Sequence, residues 1–459
     1  MHAVNDSMRF FVICVACCAA LVLRAGADSA VAYVDANAPA GNQPPFDSPE
    51  RASRSIADAI ATLSPGGKVV FAPNQRWTLE SSFSAIGDFS LVGPDDLSTT
   101  IVGGNVSVNA GQRFENLVFS NNVVTVKAGG VLSNCAVRCG LGEGVNGRAL
   151  KVCGGLAADT TVEDFKGVGV LMDRNAESTL ERCVVRGGQT PDDGNQYAIV
   201  SVLPEARAVL RNCVVAGNVT RCVAHGGTLG YLYTTGCGYS LNYKYALVLD
   251  RCIVSNNQGR VAVMRLCNSG NVNLQLADSP RVYATNCLFA ANKSIQVSAS
   301  GSANRLFMCR GEFVNCTIAE NETESSTMAL FNFLNAAKNY PQNSAVAKFV
   351  NTIVSGNACM ATYLPQYGDI NARNSIFPEA VAGNYSAAGN LAGPAVFRVK
   401  GVAPQALKTR SPGDGAGDAS IWSKGDFDLV GRPRLNRDGT VDMGCYASRR
   451  RLGPLFILQ

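Results

Sequence analysis

Four side chains in the middle of the chain have types suited to cutting a glycosidic bond: Asp173, the adjacent pair Asp192 and Asp193, and His225, which precedes Gly226. A hydrolase needs two carboxylates about 5 to 10 Å apart, one to protonate the leaving oxygen and one to attack or to activate water. A uronate lyase needs instead an Arg or Lys base and a cation such as Ca²⁺ to neutralise the substrate carboxylate. Arg432, Arg434 and Arg437 could be considered for that base but sit in the C-terminal segment, outside the coils where a lyase groove would lie, and Asp426, Asp428, Asp438 and Asp442 suggest a calcium loop but are interleaved with Arg and Gly and lack the regular ligand spacing of such loops. Pro191-Asp192-Asp193-Gly194 also reads, more simply, as a turn, and a lone His beside two glycines as a bend residue. No Cys-x-x-Cys pair with matching His supports zinc.

Any such constellation has to be held by the elements around it, and those elements repeat. Arg211-Asn212-Cys213-Val214-Val215-Ala216-Gly217-Asn218, Asp250-Arg251-Cys252-Ile253-Val254-Ser255-Asn256-Asn257, Thr285-Asn286-Cys287-Leu288-Phe289-Ala290-Ala291-Asn292 and Val314-Asn315-Cys316-Thr317-Ile318-Ala319-Glu320-Asn321 follow one template. Val350-Asn351-Thr352-Ile353-Val354-Ser355-Gly356-Asn357 repeats it with Thr for Cys, and shorter copies occur around Cys135, Cys183 and Asn374. Cys and the apolar residue two positions on share one face of a strand, since side chains alternate with period two. The asparagines mark bends, because Asn tolerates left-handed backbone and its amides hydrogen-bond into ladders when coils stack. Successive Cys positions 183, 213, 252, 287 and 316 are 30, 39, 35 and 29 residues apart. Helical arrays hold their period nearly fixed, whereas a β-solenoid absorbs insertions in surface loops. The expected fold is therefore all-β: a right-handed parallel β-helix with a short N-terminal capping helix.

That helix is expected over Ser53 to Leu63, from the spacing of Ile56, Ile60 and Leu63, with Pro65-Gly66-Gly67 as its stop and Lys68–Ala72 as the first coil strand. Residues 1–27 read as a Sec-type leader: Arg9, an apolar run from Phe10 to Leu23, then Ala25-Gly26-Ala27. The run is too short to span roughly 30 Å of hydrocarbon, so no transmembrane segment is expected once the leader is removed. The remaining boundaries are 28–66 for the entry segment and cap, 67–400 for the β-helix and 401–459 for a closing segment and tail. The net charge of +5 becomes +4 once Arg9, Arg24 and Asp6 leave, which argues against a nucleic-acid partner. Of 17 Cys, Cys14, Cys17 and Cys18 belong to the leader. Cys stacked in one column project in parallel, a poor geometry for disulfides, so the template Cys are expected to be free.

Tyr33-Val34-Asp35-Ala36-Asn37, the segment around Ile56-Ala57-Asp58-Ala59-Ile60, and Gly67-Lys68-Val69-Val70-Phe71 resemble the entry of secreted bacterial right-handed β-helix proteins of the pectin-lyase-like superfamily. Asp426 to Arg434 and Gly439-Thr440-Val441-Asp442-Met443-Gly444-Cys445-Tyr446 are similar to the C-terminal segment of surface proteins of that group, with Cys445 and Ala447 departing from its usual Gly-Ala-Tyr-Glu ending. The order Asp173, Asp192-Asp193, His225-Gly226 is also similar to that of polygalacturonases, but no Asn-Thr-Asp precedes it, Ala224 stands where Gly is usual, and no Arg-Ile-Lys follows. The resemblance implies a bacterial protein that is secreted or displayed on the cell surface, binding glycan or cell-envelope components without catalysis and without a cofactor. The alternative it implies is a polysaccharide hydrolase or lyase with a groove on the coils.

Overall fold

The computed structural model describes residues 29–138, 147–173, 176–191, 198–203, 205–221, 227–231, 245–259, 261–266, 281–295, 305–324, 329–331, 345–359, 361–363, 369–378, 389–398 and 405–447. Within these residues the short apolar strands of the template pair coil upon coil into four sheets, of 13, 13, 10 and 5 strands. The chain visits them in a fixed cycle. In one turn it passes through Glu177–Glu181 in the first sheet, Val184–Arg186 in the second, Gln189–Thr190 in the small fourth and Ala198–Val202 in the third, then re-enters the first at Arg207–Arg211. Each strand is parallel to its neighbour one coil away, as in Leu180 opposite Leu210 and Val185 opposite Val215. The result is a parallel β-helix, with the right hand that crossovers between parallel strands of one sheet adopt.

Two bends per coil explain the template. The residue before each column side chain is left-handed, with φ between 46° and 54°: Asn134, Asn212, Asn286, Asn315, Asn351 and Asn374, Asp159, and Arg182 and Arg251. A second left-handed residue closes the second-sheet strand, as at Gly217, Asn256 and Gly356. Asn and Gly carry the smallest penalty for this backbone and hold most of these bends, while Arg182, Arg251, Ala291 and Glu320 adopt it in coils whose pairing imposes it.

Inside the first bend runs a continuous column: Cys135, Thr160, Cys183, Cys213, Cys252, Cys287, Cys316, Thr352 and Ser375, all buried. The thiols are free. Cys135, Cys183, Cys213, Cys252 and Cys316 donate to carbonyls of the preceding coil, Cys213 Sγ to Leu180 at 3.5 Å and Cys252 Sγ to Leu210 at 3.3 Å, while Cys287 Sγ donates to Thr285 of its own coil at 3.1 Å. Inside the second bend an asparagine ladder joins Asn218, Asn257, Asn292, Asn321 and Asn357, each Nδ2 donating to the next Oδ1 at 2.9–3.0 Å. Between the columns, Phe289, Phe307, Phe313, Phe331 and Phe349 fill the core.

Both ends depart from expectation. The cap helix, α1, is shorter, Ile56–Ala61, with the Ser55 hydroxyl accepting from the Asp58 amide at 3.2 Å, and it buries Ile56 and Ala59. Pro65-Gly66-Gly67 does not follow as a stop but lies within the strand Leu63–Phe71, a pairing that includes a register shift. The first sheet already begins at Ser29–Val34, ahead of the expected start at 67, because these residues pair in parallel with Leu63–Phe71.

At the other end, residues 405–447 pack along the flank of the coils, from Leu288 to Asn374 and Ile376 in the last ones. Leu407 and Met443 pack on Ile353 and Ile376, and Tyr446 on Leu288. Arg434 is wholly buried, donating to Asn286 Oδ1 at 2.6 and 3.0 Å and to the Gly444 carbonyl at 2.6 Å, while its guanidinium lies 5.5 Å from the Trp422 ring. Trp422 donates in turn to Asn315 Oδ1 at 2.7 Å.

Candidate binding face

The outer face of the first sheet is set by alternation. In Arg281–Thr285, Val282 and Ala284 point into the core, so Arg281, Tyr283 and Thr285 point out. The same holds for Arg310, Glu312 and Val314 in the next coil. Register then aligns one outward column, Val248, Tyr283, Glu312, Lys348 and Asn371. A parallel column places Arg310 beside Arg281.

Tyr245, just before Leu247–Asp250, joins this surface. Its ring centroid lies 5.3 Å from that of Tyr283 at an interplanar angle of 40°. Its hydroxyl donates to Glu312 Oε1 at 2.8 Å, and Lys348 Nζ is 3.7 Å from the same oxygen. Tyr245, Tyr283 and Glu312 are half-buried and Lys348 is exposed. Burial, and then the charge of Arg281, push the Arg310 guanidinium down to about 10. The face thus offers two aromatic rings, hydroxyl and carboxylate hydrogen-bonding groups and clustered cations, all but Tyr245 on strands paired from both sides.

Of the residues singled out in the sequence, Asp173 is described. It follows the third-sheet strand Val168–Met172, where its carboxylate pairs with Lys151 Nζ at 2.7 Å and accepts from Cys153 Sγ at 3.3 Å. Burial raises the Cys153 thiol to about 11, Lys151 opposing and Asp173 reinforcing the shift. Asp192, Asp193 and His225 lie outside the described residues.

Among the described residues no cluster of three or more His, Cys, Asp or Glu is arranged to hold a metal. The carboxylates considered for a calcium loop make local bonds: Asp428 accepts from the Val430, Arg432 and Ala447 amides, Asp438 from Thr440, Asp442 from Gly415, and Asp426 from Ser423. Arg434, considered as a lyase base, is sealed under the C-terminal segment. The sequence reading passed over Tyr245, Tyr283, Arg281, Arg310, Glu312 and Lys348. Aligning the coils on the Cys column would have found most of the set, since Tyr283, Glu312 and Lys348 each stand four residues before a column residue.

The architecture defines the class as a parallel β-helix solenoid. No family model matches the chain, and no curated protein matches its sequence. Among solved structures it is similar to pectate lyase Pel9A, with TM-score 0.44 and 12% identity over 92% of this chain and 97% of that one. It is also similar to the PL6 family alginate lyase AlyGC, with TM-score 0.32 and 11% identity over 81% of this chain and 58% of that one. The catalytic domain of a GH87 α-1,3-glucanase is a further neighbour, with TM-score 0.28 and 9% identity over 73% and 66%.

Proposed function

We propose that this chain is an exported β-helix that binds polysaccharide along the outer face of its first sheet and does not cleave it. The observation that carries the reading is the Tyr245–Tyr283 pair on adjacent coils, fastened by Glu312 and Lys348 and bordered by Arg281 and Arg310. Tyrosine supplies a flat apolar ring with a polar tip, which suits a sugar ring with its C–H face and hydroxyl rim. Because Tyr283 sits on a paired strand and Tyr245 is held to it through Glu312, little ordering entropy is lost when a ligand docks. A linear polymer lying along the solenoid axis meets a new row of side chains at each coil, about every 4.8 Å. Export rests on the leader, and no helix among the described residues is long and apolar enough to cross a membrane.

The test is a panel of neutral and uronate polysaccharides offered to the purified mature chain. Saturable binding without new chain ends is expected, and Tyr245→Ala or Tyr283→Ala should each raise Kd about tenfold, or roughly 1.4 kcal/mol. Release of reducing ends or unsaturated uronate, abolished by Asp173→Asn or Asp193→Asn, would replace binding by hydrolysis or lysis.

A further inference from the structure

We propose that the C-terminal end of this chain is a peripheral membrane-docking site, which holds the exported solenoid on an anionic lipid surface. Among the described residues five large apolar side chains are exposed. Three of them, Ile421, Phe427 and Val430, lie within ten residues of the C-terminal segment, at 37, 44 and 38% exposure. Phe427 and Val430 belong to one tight hairpin, in which Phe427 is bridged antiparallel to Pro433 and the Asp428 amide donates to the Arg432 carbonyl at 2.7 Å. The Asp428 carboxylate ties this hairpin to the end of the described chain, accepting from the Val430, Arg432 and Ala447 amides at 2.7 to 3.0 Å. Arg432 Nη1 also donates to the Ala447 carbonyl at 3.2 Å. The residues after Ala447 therefore start from the side of the molecule that exposes Phe427 and Val430.

The sequence that follows carries both signals that bring a protein to a bilayer. Arg449, Arg450 and Arg451 precede Leu452 and the run Leu455-Phe456-Ile457-Leu458. So short a run cannot cross roughly 30 Å of hydrocarbon. It suits the interface instead, where a small apolar anchor binds marginally alone and stably once a polybasic patch sits beside it. The charges select anionic lipid. Between Ile421 and Arg451, Asp428 and Asp442 are buried along with Arg434, which leaves Lys424, Arg432, Arg437 and the three following arginines against Asp426 and Asp438. Each Lys or Arg close to an anionic surface strengthens binding roughly fivefold. A second copy of the chain would bring the same cations face to face, which disfavours self-association on this patch.

The probe is unilamellar vesicles of phosphatidylcholine, alone or with about a quarter phosphatidylglycerol, sedimented with the purified mature chain. The chain is expected to pellet with the anionic vesicles and to stay in solution with the zwitterionic ones. Added salt should weaken the binding, because it screens the arginines. Arg449→Gln, Arg450→Gln and Arg451→Gln together should weaken it on the order of a hundredfold, and Phe427→Ser about tenfold. Phe427 is exposed, so its variant is expected to fold, and circular dichroism of both variants checks it. A uronate polysaccharide offered in place of vesicles decides the partner: loss of vesicle binding alone in the arginine variant supports the proposal, and loss of polysaccharide binding with vesicle binding intact would overturn it. No pelleting, equal pelleting with both lipid compositions, or vesicle binding that survives both sets of substitutions would overturn it as well.

Discussion

Two buried polar columns decide the behaviour of single residues. Asn257 links its neighbours on both sides, accepting from the amide and Nδ2 of Asn218 and donating to Asn292. Asn257→Ala leaves buried groups in two coils unpartnered, at about 1–3 kcal/mol each, so chemical denaturation should show a loss of about 3 kcal/mol. The thiols make a pH prediction. Burial raises Cys135 to about 12 and pushes Cys252 and Cys287 well up. A thiol whose pKa is higher folded than unfolded contributes stability that is fully present below about 8.5 and is lost as pH rises above it. Stability measured from pH 8 to pH 11 should therefore fall, and Cys135→Thr should reduce the slope.

Reading residues by type alone was enough for the columns and insufficient for the face. The Asn-Cys spacing announces a bend and an inward side chain, and both are where the spacing puts them, because steric limits on φ and strand alternation are local. Tyr283, Glu312 and Lys348 are unremarkable in their own segments. They become a surface once three coils, 29 and 36 residues apart, are stacked in register. Asp173 shows the converse: its type suggested acid chemistry, whereas its place beside Lys151 and Cys153 is settled by coil neighbours that no motif displays.

Among the elements, the C-terminal segment is the least expected. Its Gly- and Asp-rich sequence reads as a closure of the last coil, and the local hydrogen bonds of its aspartates agree with that reading. Its partners are nevertheless the left-handed asparagines Asn286, Asn315 and Asn351, more than a hundred residues earlier for the first two, whose amides the tight bend leaves pointing outward. Arg434 is the hinge of this contact; burial lowers its pKa, and the nearby carboxylates Asp428 and Asp442 oppose the shift. Arg434→Ala strips a buried cation from these groups and should cost about 3–5 kcal/mol, visible as early release of the segment to limited proteolysis.

On the second sheet, Glu163 lies between Arg138 and Arg186, at 2.7 and 2.6 Å. Burial alone would raise its pKa, and the hydrogen bonds from Arg186 and Arg138 outweigh that and lower it. A lowered carboxylate pKa gives stability that is present above about 4.3 and lost as pH falls through the folded value. Both arginines are half exposed or more, which limits the effect to about 1 kcal/mol. Glu163→Gln should flatten the acid limb of the stability curve and leave the neutral plateau within about that margin.

For the whole molecule, stacking turns small repeated choices into long surfaces. One Cys, one Asn and one outward side chain per coil become a thiol column, an amide ladder and a row of rings and charges running along the solenoid. The interior rows hold the coils in register, and that register keeps Tyr245 and Tyr283 side by side. The most direct measurement is calorimetric titration of polysaccharide into the mature chain and into Tyr283→Ala, with the eluate assayed for new chain ends. Saturable binding that weakens about tenfold in the variant, at unchanged melting temperature and with the polymer intact, is the predicted result. Cleaved polymer, or binding indifferent to Tyr283→Ala, would contradict it.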